Sequence, residues 1–413
     1  MKPRVVITGI GMVTPLGTDA ASTWERVGAG ISGIGRITRF DASAFPAKIA
    51  GELKDFDPLR FLTPKEAART DPFIQYAMAA AVMAMEDSGY AVTPRSASRI
   101  GVLVGSGRGG VTTSEKNMRA FLRNGHRAVS PFFAPMSLVN MASGYISMKL
   151  GTTGPCLDVS TACATGTHSI GEAMKIIQRG DADVMIAGGS EAALTPLILA
   201  GFCQARALST RNSDPARASR PFDRDRDGFI LSEGAGVLIL EERSHAEQRG
   251  ADIIAELAGY GLSSDAFHVT RPDPSGNGPA NAMQMALADA GLAPESIDYI
   301  NAHGTSTVPN DAIETRAIRK AFGSHANALA ISSTKSMLGH MLGAAGAVEA
   351  AITALAVRDS IIPPTINYET PDPECDLNYT PHHAQSRRIS AALSSSLGFG
   401  GINAALVIRL YRG

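Results

Sequence analysis

The sequence predicts a layered α/β protein with two core-forming halves. Apolar runs rich in β-branched residues alternate with Ala-rich stretches of helical period. The 413 residues exceed the roughly 250 to 300 residues at which a single hydrophobic core stops growing, so a second half is expected. We place the boundary between the halves near Gly250.

The predicted strands and helices alternate in a similar way in both halves. In the first half we predict strands over 4–10, 100–105, 182–188 and 236–241, with Ala-rich helices over 72–89 and 163–180. In the second half we predict a helix over 278–291, a buried strand over 298–301 and a helix over 343–358. A Gly after several of these helices can serve as a C-terminal cap.

Composition and charge exclude several classes of function. The net charge of -1 offers no overall attraction to nucleic acid. Runs of apolar residues stay shorter than the roughly 18 that a membrane span needs, and the first residues have the character of a strand and turn, not of a signal sequence. Four scattered cysteines provide no disulfide framework, so a soluble protein of the reducing cytoplasm is expected.

Two weak motifs are not interpreted as ligand sites. Gly105, Gly107 and Gly110 match GxGxxG, but no acidic residue follows about 20 positions later, which disfavours dinucleotide binding. The stretch 223–228 resembles the start of a calcium loop, yet its twelfth position is Gly234. No metal site is therefore expected.

Cys163 is the first candidate for a catalytic residue. It lies between a strand-like run and a predicted helix, among the small neighbours Ala162, Ala164 and Gly166. A thiol at a helix start is near the positive end of the dipole, which favours thiolate, and small neighbours let a carbonyl approach. Taken alone, Cys163 has the equally good interpretation of a buried small hydrophobic residue.

Further polar residues in glycine-rich loops favour the catalytic interpretation. His303 follows the predicted strand over 298–301, and Lys335 with His340 occupies a similar loop before the helix over 343–358. The Gly-rich turn at Phe399 can direct backbone N–H groups at a developing oxyanion. Together these loops predict a nucleophile supported by two histidines and a lysine.

Six segments, in order along the chain, resemble the β-ketoacyl-[acyl-carrier-protein] synthase family, especially its elongating members. They are VVITGIGMVTPLG, STACATG, ASRPFDRDRDGFILSEGAG, NAHGTST, STKSMLGHMLGAAGAVEA and GFGGINAAL. The resemblance implies the thiolase fold, in which two pseudo-symmetric halves form five αβαβα layers, and a homodimer. With the boundary placed near Gly250, residues 1–251 are expected to form the half with the nucleophilic cysteine and 252–413 the half with both histidines.

The resemblance also implies roles for the candidate residues. Cys163 is expected to accept an acyl group from carrier-protein phosphopantetheine. His303 and His340 are expected to stabilise the enolate formed when malonyl carrier protein loses CO2, and Lys335 to support the histidines. The backbone N–H groups of Cys163 and Phe399 correspond to the oxyanion hole, and Phe399 to a gate. No cofactor is required beyond the phosphopantetheine of the acyl carrier protein.

Positions around the reacting centre match the family as well. The resemblance places three residues in the acyl pocket, three near the pantetheine and three at the carrier-protein docking surface. In that order they are Arg108, Phe202 and Phe399; Thr270, Thr305 and Thr307; Lys65, Arg69 and Arg206. Arg108 departs from the family, which commonly has an apolar residue there, so the acyl chain length stays open.

Three alternatives share the fold. A polyketide or specialised acyl ketosynthase has the same motifs and the same chemistry. A thiolase requires a further catalytic cysteine near the C-terminus, and none follows Cys375. A chain-length-factor-like partner subunit has no catalysis, and the retained Cys163 argues against it.

Overall fold

The protein, seen in a computed structural model that describes residues 2–413, is built on a ten-stranded central sheet. Two further two-stranded sheets lie outside it. The strands are β1 Val5–Val13, β2 Gly35–Arg36, β3 Ile49–Ala50, β4 Ile100–Gly105, β5 Cys156–Leu157, β6 Val184–Glu191, β7 Gly234–Glu242, β8 Ala255–Ser264, β9 Tyr299–Asn301, β10 Ala330–Ser332, β11 Ile361–Ile362, β12 Gln385–Ser386, β13 Ala391–Gly398 and β14 Ile402–Arg409.

The α-helices of these residues alternate with the strands. They are α1 Ala20–Gly28, α2 Pro64–Ala67, α3 Pro72–Asp87, α4 Val111–Asn124, α5 Phe133–Ser137, α6 Met141–Leu150, α7 Thr165–Arg179, α8 Pro196–Gln204, α9 Arg243–Gln248, α10 Asn277–Ala290, α11 Val308–Phe322, α12 Lys335–Leu338 and α13 Ala345–Asp359. None of the helices within residues 2–413 is long and apolar enough to cross a membrane.

The central sheet consists of two halves with the same topology. Its order is β10-β9-β13-β14-β8-β1-β7-β6-β4-β5. Counted along the chain, each half places its five strands in the order third, second, fourth, fifth, first, and parallel and antiparallel pairs recur at the same positions. The halves meet where β1 pairs antiparallel with β8. The limits 1–251 and 252–413 stay a prediction, since this sheet is continuous across them.

Helices cover the sheet in layers. α3 packs on β1 and β7 on one outer side, α10 packs on β8 and β14 on the other, and α7 and α13 form the central layer. α13 is buried over Ala345–Val357. Gly346 and Gly166 permit this packing, because a Cβ on Gly346 would lie 2.0 Å from the Thr167 Oγ1 atom and one on Gly166 2.6 Å from the Ala347 N atom.

The two central helices begin later than the sequence predicts. Helices were expected from residues 163 and 343, whereas α7 begins at Thr165 and α13 at Ala345. A 3₁₀ turn precedes each helix, Ala162–Ala164 in one half and Leu342–Ala344 in the other. Both turns start with a positive φ, +52° at Ala162 and +47° at Leu342. This backbone is uncommon for non-glycine residues, so helical periodicity alone did not predict it.

Candidate active site

A cavity of about 640 Å³ opens beside the turn that carries Cys163. Most of the residues selected from the sequence line it, although they come from both halves of the chain. These lining residues are Arg108, Cys163, Phe202, Arg206, Thr270, His303, Thr305, Thr307, His340 and Phe399. Lys335 is buried outside the lining, and Lys65 and Arg69 lie on and just after α2, also outside it.

Cys163 occupies the middle of the 3₁₀ turn before α7. The residue is half-buried, and the backbone N–H of Phe399 donates a hydrogen bond to its sulfur. The positive φ of Ala162 turns the chain sharply just before the thiol. Cys163 therefore lies in a tight turn, with the Phe399 turn directly against it.

The Cys163 thiol is not acidified as the sequence suggested. Burial raises the pKa of the thiol to about 11, and the nearby Glu191 carboxylate raises it further, whereas Lys335, the Phe399 N–H and Arg108 act in the opposite direction. We expected the helix dipole to favour the thiolate. That expectation is wrong, because desolvation of the sulfur outweighs the favourable charges.

The rate at which Cys163 is alkylated should therefore keep rising with pH up to about 11. A raised thiol pKa means that the reactive thiolate is scarce at neutral pH and accumulates only as the pH approaches that value. Peptide mass spectrometry after short iodoacetamide pulses measures the rate at this residue. A plateau of the alkylation rate at or below pH 8 would contradict a raised pKa of the Cys163 thiol.

The two histidines face each other at the cavity wall. Their ring centroids are 5.3 Å apart, with the ring planes at 86°. Two backbone N–H groups, those of His303 and Gly304, donate to the Glu314 carboxylate at 2.7 Å. The His340 N–H donates to the Ile230 carbonyl oxygen at 2.7 Å. The backbone of each histidine is thus anchored to the protein.

Both imidazoles are neutral at physiological pH. Burial lowers the pKa of His303 and of His340 well below the ordinary range, and the Lys335 ammonium lowers both further. Lys335 Nζ lies 3.4 Å from His303 Nδ1. Because an ammonium only donates, Nδ1 accepts and the proton of neutral His303 is on Nε2. His340 Nδ1 is buried and makes no hydrogen bond within residues 2–413.

Lys335 is a buried cation held by a buried carboxylate. Its side chain is 2% exposed, and it forms an ion pair with Glu349 of α13. Burial raises the pKa of Glu349 to about 7, and Lys335 opposes that rise. The lysine therefore links the apolar central helix to His303. Its supporting role in the site stays a prediction.

Three buried glutamates were missed from the sequence. Glu314 anchors the His303 loop, Glu349 pairs with Lys335, and Glu191 joins the two halves. Glu191 accepts hydrogen bonds from the Ser106 hydroxyl and from the backbone N–H groups of Gly107, Arg108 and Gly343, at 3.0 to 3.2 Å. A signal existed for Glu349, since it is a lone acid within an Ala-rich helix.

Phe399 lies in a glycine-rich turn at the cavity wall. Its side chain is 38% exposed, and Gly400 and Gly401 have φ values of +86° and +69°. The ring of Phe399 lies 6.5 Å from that of Phe202. Its N–H is directed at Cys163. The oxyanion hole and the gate stay predictions that this geometry supports.

The structure separates the three residues that were predicted to dock the carrier protein. Arg206, with φ +52°, lies at the cavity. Lys65 is exposed on α2, and the Arg69 guanidinium carbon lies 4.3 Å from the centroid of the Phe132 ring.

Thr305 and Thr307 are joined by a 3.0 Å hydroxyl contact at the cavity wall. Among residues 2–413 no three His, Cys, Asp or Glu side chains are grouped to bind a metal ion.

Comparison with known proteins matches nearly the whole chain. Residues 2–246 match the family model of the β-ketoacyl synthase N-terminal domain, and residues 254–369 match that of the C-terminal domain. The 3-oxoacyl-[acyl-carrier-protein] synthase 2 of Coxiella burnetii (strain RSA 493 / Nine Mile phase I) is 54% identical over 98% of both chains. The protein of the same name from Synechocystis sp. is 50% identical over 100% of this chain and 99% of its own.

Solved structures share the same architecture. A β-ketoacyl synthase from Burkholderia phymatum STM815 superposes with a TM-score of 0.93 at 36% identity over all of both chains. A ketosynthase from a type II PKS, solved with its acyl-carrier protein and bound to the hexaketide, has a TM-score of 0.92 at 35% identity, again over all of both chains.

Proposed function

Since the chain belongs to the β-ketoacyl synthase family, we propose that it catalyses the decarboxylative Claisen condensation of fatty acid elongation. An acyl group held on Cys163 and malonyl-[acyl-carrier-protein] give 3-oxoacyl-[acyl-carrier-protein], CO2 and free carrier protein. The resemblance and the thiolase-like fold predicted from the sequence are confirmed. The convergence of Cys163, His303 and His340 on one cavity carries the proposal.

The first half-reaction loads the acyl group. The Cys163 sulfur attacks the thioester carbonyl of the acyl carrier protein, and the oxyanion accepts hydrogen bonds from the N–H groups of Cys163 and Phe399. Collapse of this adduct breaks the bond to the phosphopantetheine sulfur, which leaves as the thiol with the proton that Cys163 loses. The carrier protein supplies the phosphopantetheine, and the enzyme itself requires no cofactor.

The second half-reaction forms the carbon-carbon bond. Malonyl carrier protein loses CO2, and the electron pair of the broken bond becomes an enolate whose oxygen receives hydrogen bonds from His303 and His340. Neutral imidazoles suit this step, because they stabilise the enolate without protonating its carbon. The enolate carbon attacks the acyl-Cys163 carbonyl, and the cysteine sulfur leaves as the bond to the acyl group breaks.

Replacement of His303 or His340 by alanine should separate the two half-reactions. CO2 release from malonyl carrier protein is expected to fall at least about a hundredfold, because a charge-stabilising donor is lost. Formation of acyl-Cys163 should continue in both variants. Labelled CO2 and the intact mass of the enzyme measure the two steps. His325→Ala is the control, because His325 is not among the residues that line the cavity. Undiminished CO2 release by both active-site variants would contradict the proposal.

The acyl carrier protein is the partner of this chemistry, and we assign its docking to Lys65, Arg69 and Arg206. Lys65→Glu with Arg69→Glu should raise the KM for carrier-protein substrates roughly tenfold and leave kcat nearly unchanged, because like charges then repel the acidic partner. Steady-state kinetics at low salt measures this effect. Arg95→Glu is the control, since Arg95 is exposed and forms no ion pair within residues 2–413. An unchanged KM would defeat the docking assignment.

We also assign a homodimer and a cytoplasmic location. β5 lies at the open edge of the central sheet, where Cys156 and Leu157 are exposed, and a second copy can pair with that edge. All four cysteines are free, which suits a reducing compartment.

The polyketide alternative is supported less well, since the type II PKS ketosynthase is 35% identical and the fatty acid synthase relatives are 50–54% identical.

A further inference from the structure

Glu191 is a buried carboxylate at the end of β6, among the residues that surround the cavity. Its Oε2 atom accepts hydrogen bonds from the backbone N–H groups of Gly107 and Gly343, at 3.1 and 3.0 Å. Its Oε1 atom accepts from the Ser106 hydroxyl and the Arg108 N–H, at 3.1 and 3.2 Å. Because Gly343 belongs to the second half of the chain and the other donors to the first, this side chain joins the two halves at the cavity.

Gly343 has the place in the second half that Cys163 has in the first. Each is the middle residue of a 3₁₀ turn, and each turn leads into a helix of 15 residues. A buried backbone N–H needs an acceptor, and Glu191 provides one for Gly343. The second turn is therefore fixed to β6, which belongs to the first half.

The same carboxylate lies beside the turn that carries the nucleophile. A Cβ placed on Gly107 would lie 2.8 Å from the Glu191 Oε2 atom, 3.3 Å from the Ala162 carbonyl oxygen and 3.6 Å from the Gly343 N atom. These three atoms thus surround one point, and the Ala162 carbonyl directly precedes Cys163 in the chain. The carboxylate and the two turns therefore meet around Gly107.

The carboxylate is also close along the chain to one of the histidines. His340 precedes Gly343 by three residues, and the two residues between them are buried. The His340 N–H donates to the Ile230 carbonyl oxygen at 2.7 Å. This short segment is thus anchored at one end by Ile230 and at the other by Glu191. The place of His340 relative to the nucleophile therefore depends on the Glu191 carboxylate.

We propose that Glu191 is a positioning residue that sets the separation of Cys163 and His340 and so couples the loss of CO2 to carbon-carbon bond formation. The inference rests on the proposed function, since it concerns how the enolate of the second half-reaction reaches the acyl group.

The enolate formed by loss of CO2 has two fates. Its carbon can attack the acyl carbonyl, and the Cys163 sulfur then leaves with the electron pair of the broken bond. Alternatively, its carbon takes a proton from water, and acetyl carrier protein forms while the acyl group stays on Cys163. A shift of about 1 Å can slow the attack up to a hundredfold, whereas protonation by water requires no alignment with the acyl group. Correct positioning therefore favours condensation.

A single-turnover measurement tests the inference. Cys163 is first loaded from hexanoyl carrier protein, and the intact mass of the enzyme confirms the loading. Malonyl carrier protein with a labelled carboxyl carbon is then added, and released CO2 is counted. Mass spectrometry quantifies the 3-oxooctanoyl and acetyl carrier proteins that form. In the native enzyme, nearly every CO2 should be matched by a 3-oxooctanoyl product.

Glu191→Gln should lower the ratio of 3-oxooctanoyl product to CO2 roughly tenfold, with acetyl carrier protein making up the difference. An amide has a single acceptor oxygen, and its NH2 group would face N–H donors. Gly343→Ala should lower the ratio as well, because its Cβ would lie 2.8 Å from the Glu191 Oε2 atom and even closer to the Gly107 N atom. Unfolded enzyme does not change this ratio, since only enzyme that turns over contributes to it.

Glu256→Gln is the matched control. Glu256 is another buried glutamate, its carboxylate accepts hydrogen bonds from Arg4 and Arg409, and it is not among the residues that line the cavity. This variant should keep the native ratio even if it unfolds at a lower temperature. A loss of the ratio in Glu256→Gln as well would overturn the specific role of Glu191.

The remaining outcomes separate this inference from the proposed function. A native ratio in either Glu191→Gln or Gly343→Ala would overturn the coupling role, even if the rates of both half-reactions fell. Failure of these variants to load hexanoyl or to release CO2 would also overturn it, because Glu191 would then act on a half-reaction and not on their coupling. Absence of an adduct at Cys163 or of CO2 release in the native enzyme would overturn the proposed function instead.

Discussion

Cys163→Ala is expected to lower 3-oxoacyl product formation by at least about a thousandfold. The sulfur forms the bond to the acyl group, and neither the histidines nor Lys335 provides a second nucleophile in its place. The other half-buried cysteine, Cys203, provides the matched control, and Cys203→Ala should retain most of the activity. Product is measured by mass spectrometry of the 3-oxoacyl carrier protein.

The same variant should still release CO2 from malonyl carrier protein. The histidine loops are anchored by Glu314 and by the Ile230 carbonyl oxygen, not by the thiol, so His303 and His340 keep their positions when the sulfur is removed. Acetyl carrier protein is then the expected by-product, formed when the enolate is protonated. Condensation by Cys163→Ala at more than a tenth of the native rate would refute the role of the thiol.

Lys335→Met should be the most destabilising substitution in the site. It leaves the Glu349 carboxylate buried without its cation, which typically costs about 3–5 kcal/mol of unfolding free energy. Denaturant unfolding monitored by circular dichroism measures the loss. The double variant Lys335→Met with Glu349→Leu should recover much of the stability, since neither buried charge remains.

The loss of stability caused by Lys335→Met should depend on pH. Burial raises the pKa of Glu349 and Lys335 lowers it, so removal of the lysine raises that pKa beyond about 7. A carboxyl whose folded pKa exceeds its unfolded value of about 4.3 holds its proton more tightly in the folded state. The stability of the variant then declines as the pH rises above the unfolded pKa. Its free energy of unfolding should therefore be lower at pH 8 than at pH 5.

Activity separates the structural role of Lys335 from its role in the site. The double variant should stay inactive in CO2 release despite its recovered stability, because His303 Nδ1 no longer has the ammonium beside it. An unfolding midpoint of Lys335→Met equal to that of the native enzyme would contradict the importance of the buried pair. Full activity in the double variant would limit Lys335 to a structural role.

Local patterns were sufficient for the framework of the fold. The strand predicted over 100–105 has the same limits in the structure, and the helix predicted over 278–291 differs by one residue at each end. Apolar periodicity and glycine caps are properties of neighbouring residues, so the sequence contains them directly. The turns at Ala162 and Leu342 were missed because their positive φ is uncommon for such residues, and the two turns contact each other across the halves.

The sequence by itself determined the family and the chemistry, and it predicted Cys163, His303, His340 and Lys335 as site residues, because each lies in a short motif. Only the tertiary structure decided the direction of the pKa shifts of Cys163, His303 and His340 and the partners that surround the site. Burial raised the pKa of Cys163 where local position predicted the reverse, and Glu191, Glu314 and Glu349 reach the site from distant segments. The effects of desolvation and charge pairing on a pKa depend on residues that come together only on folding. No local sequence pattern can therefore predict these effects.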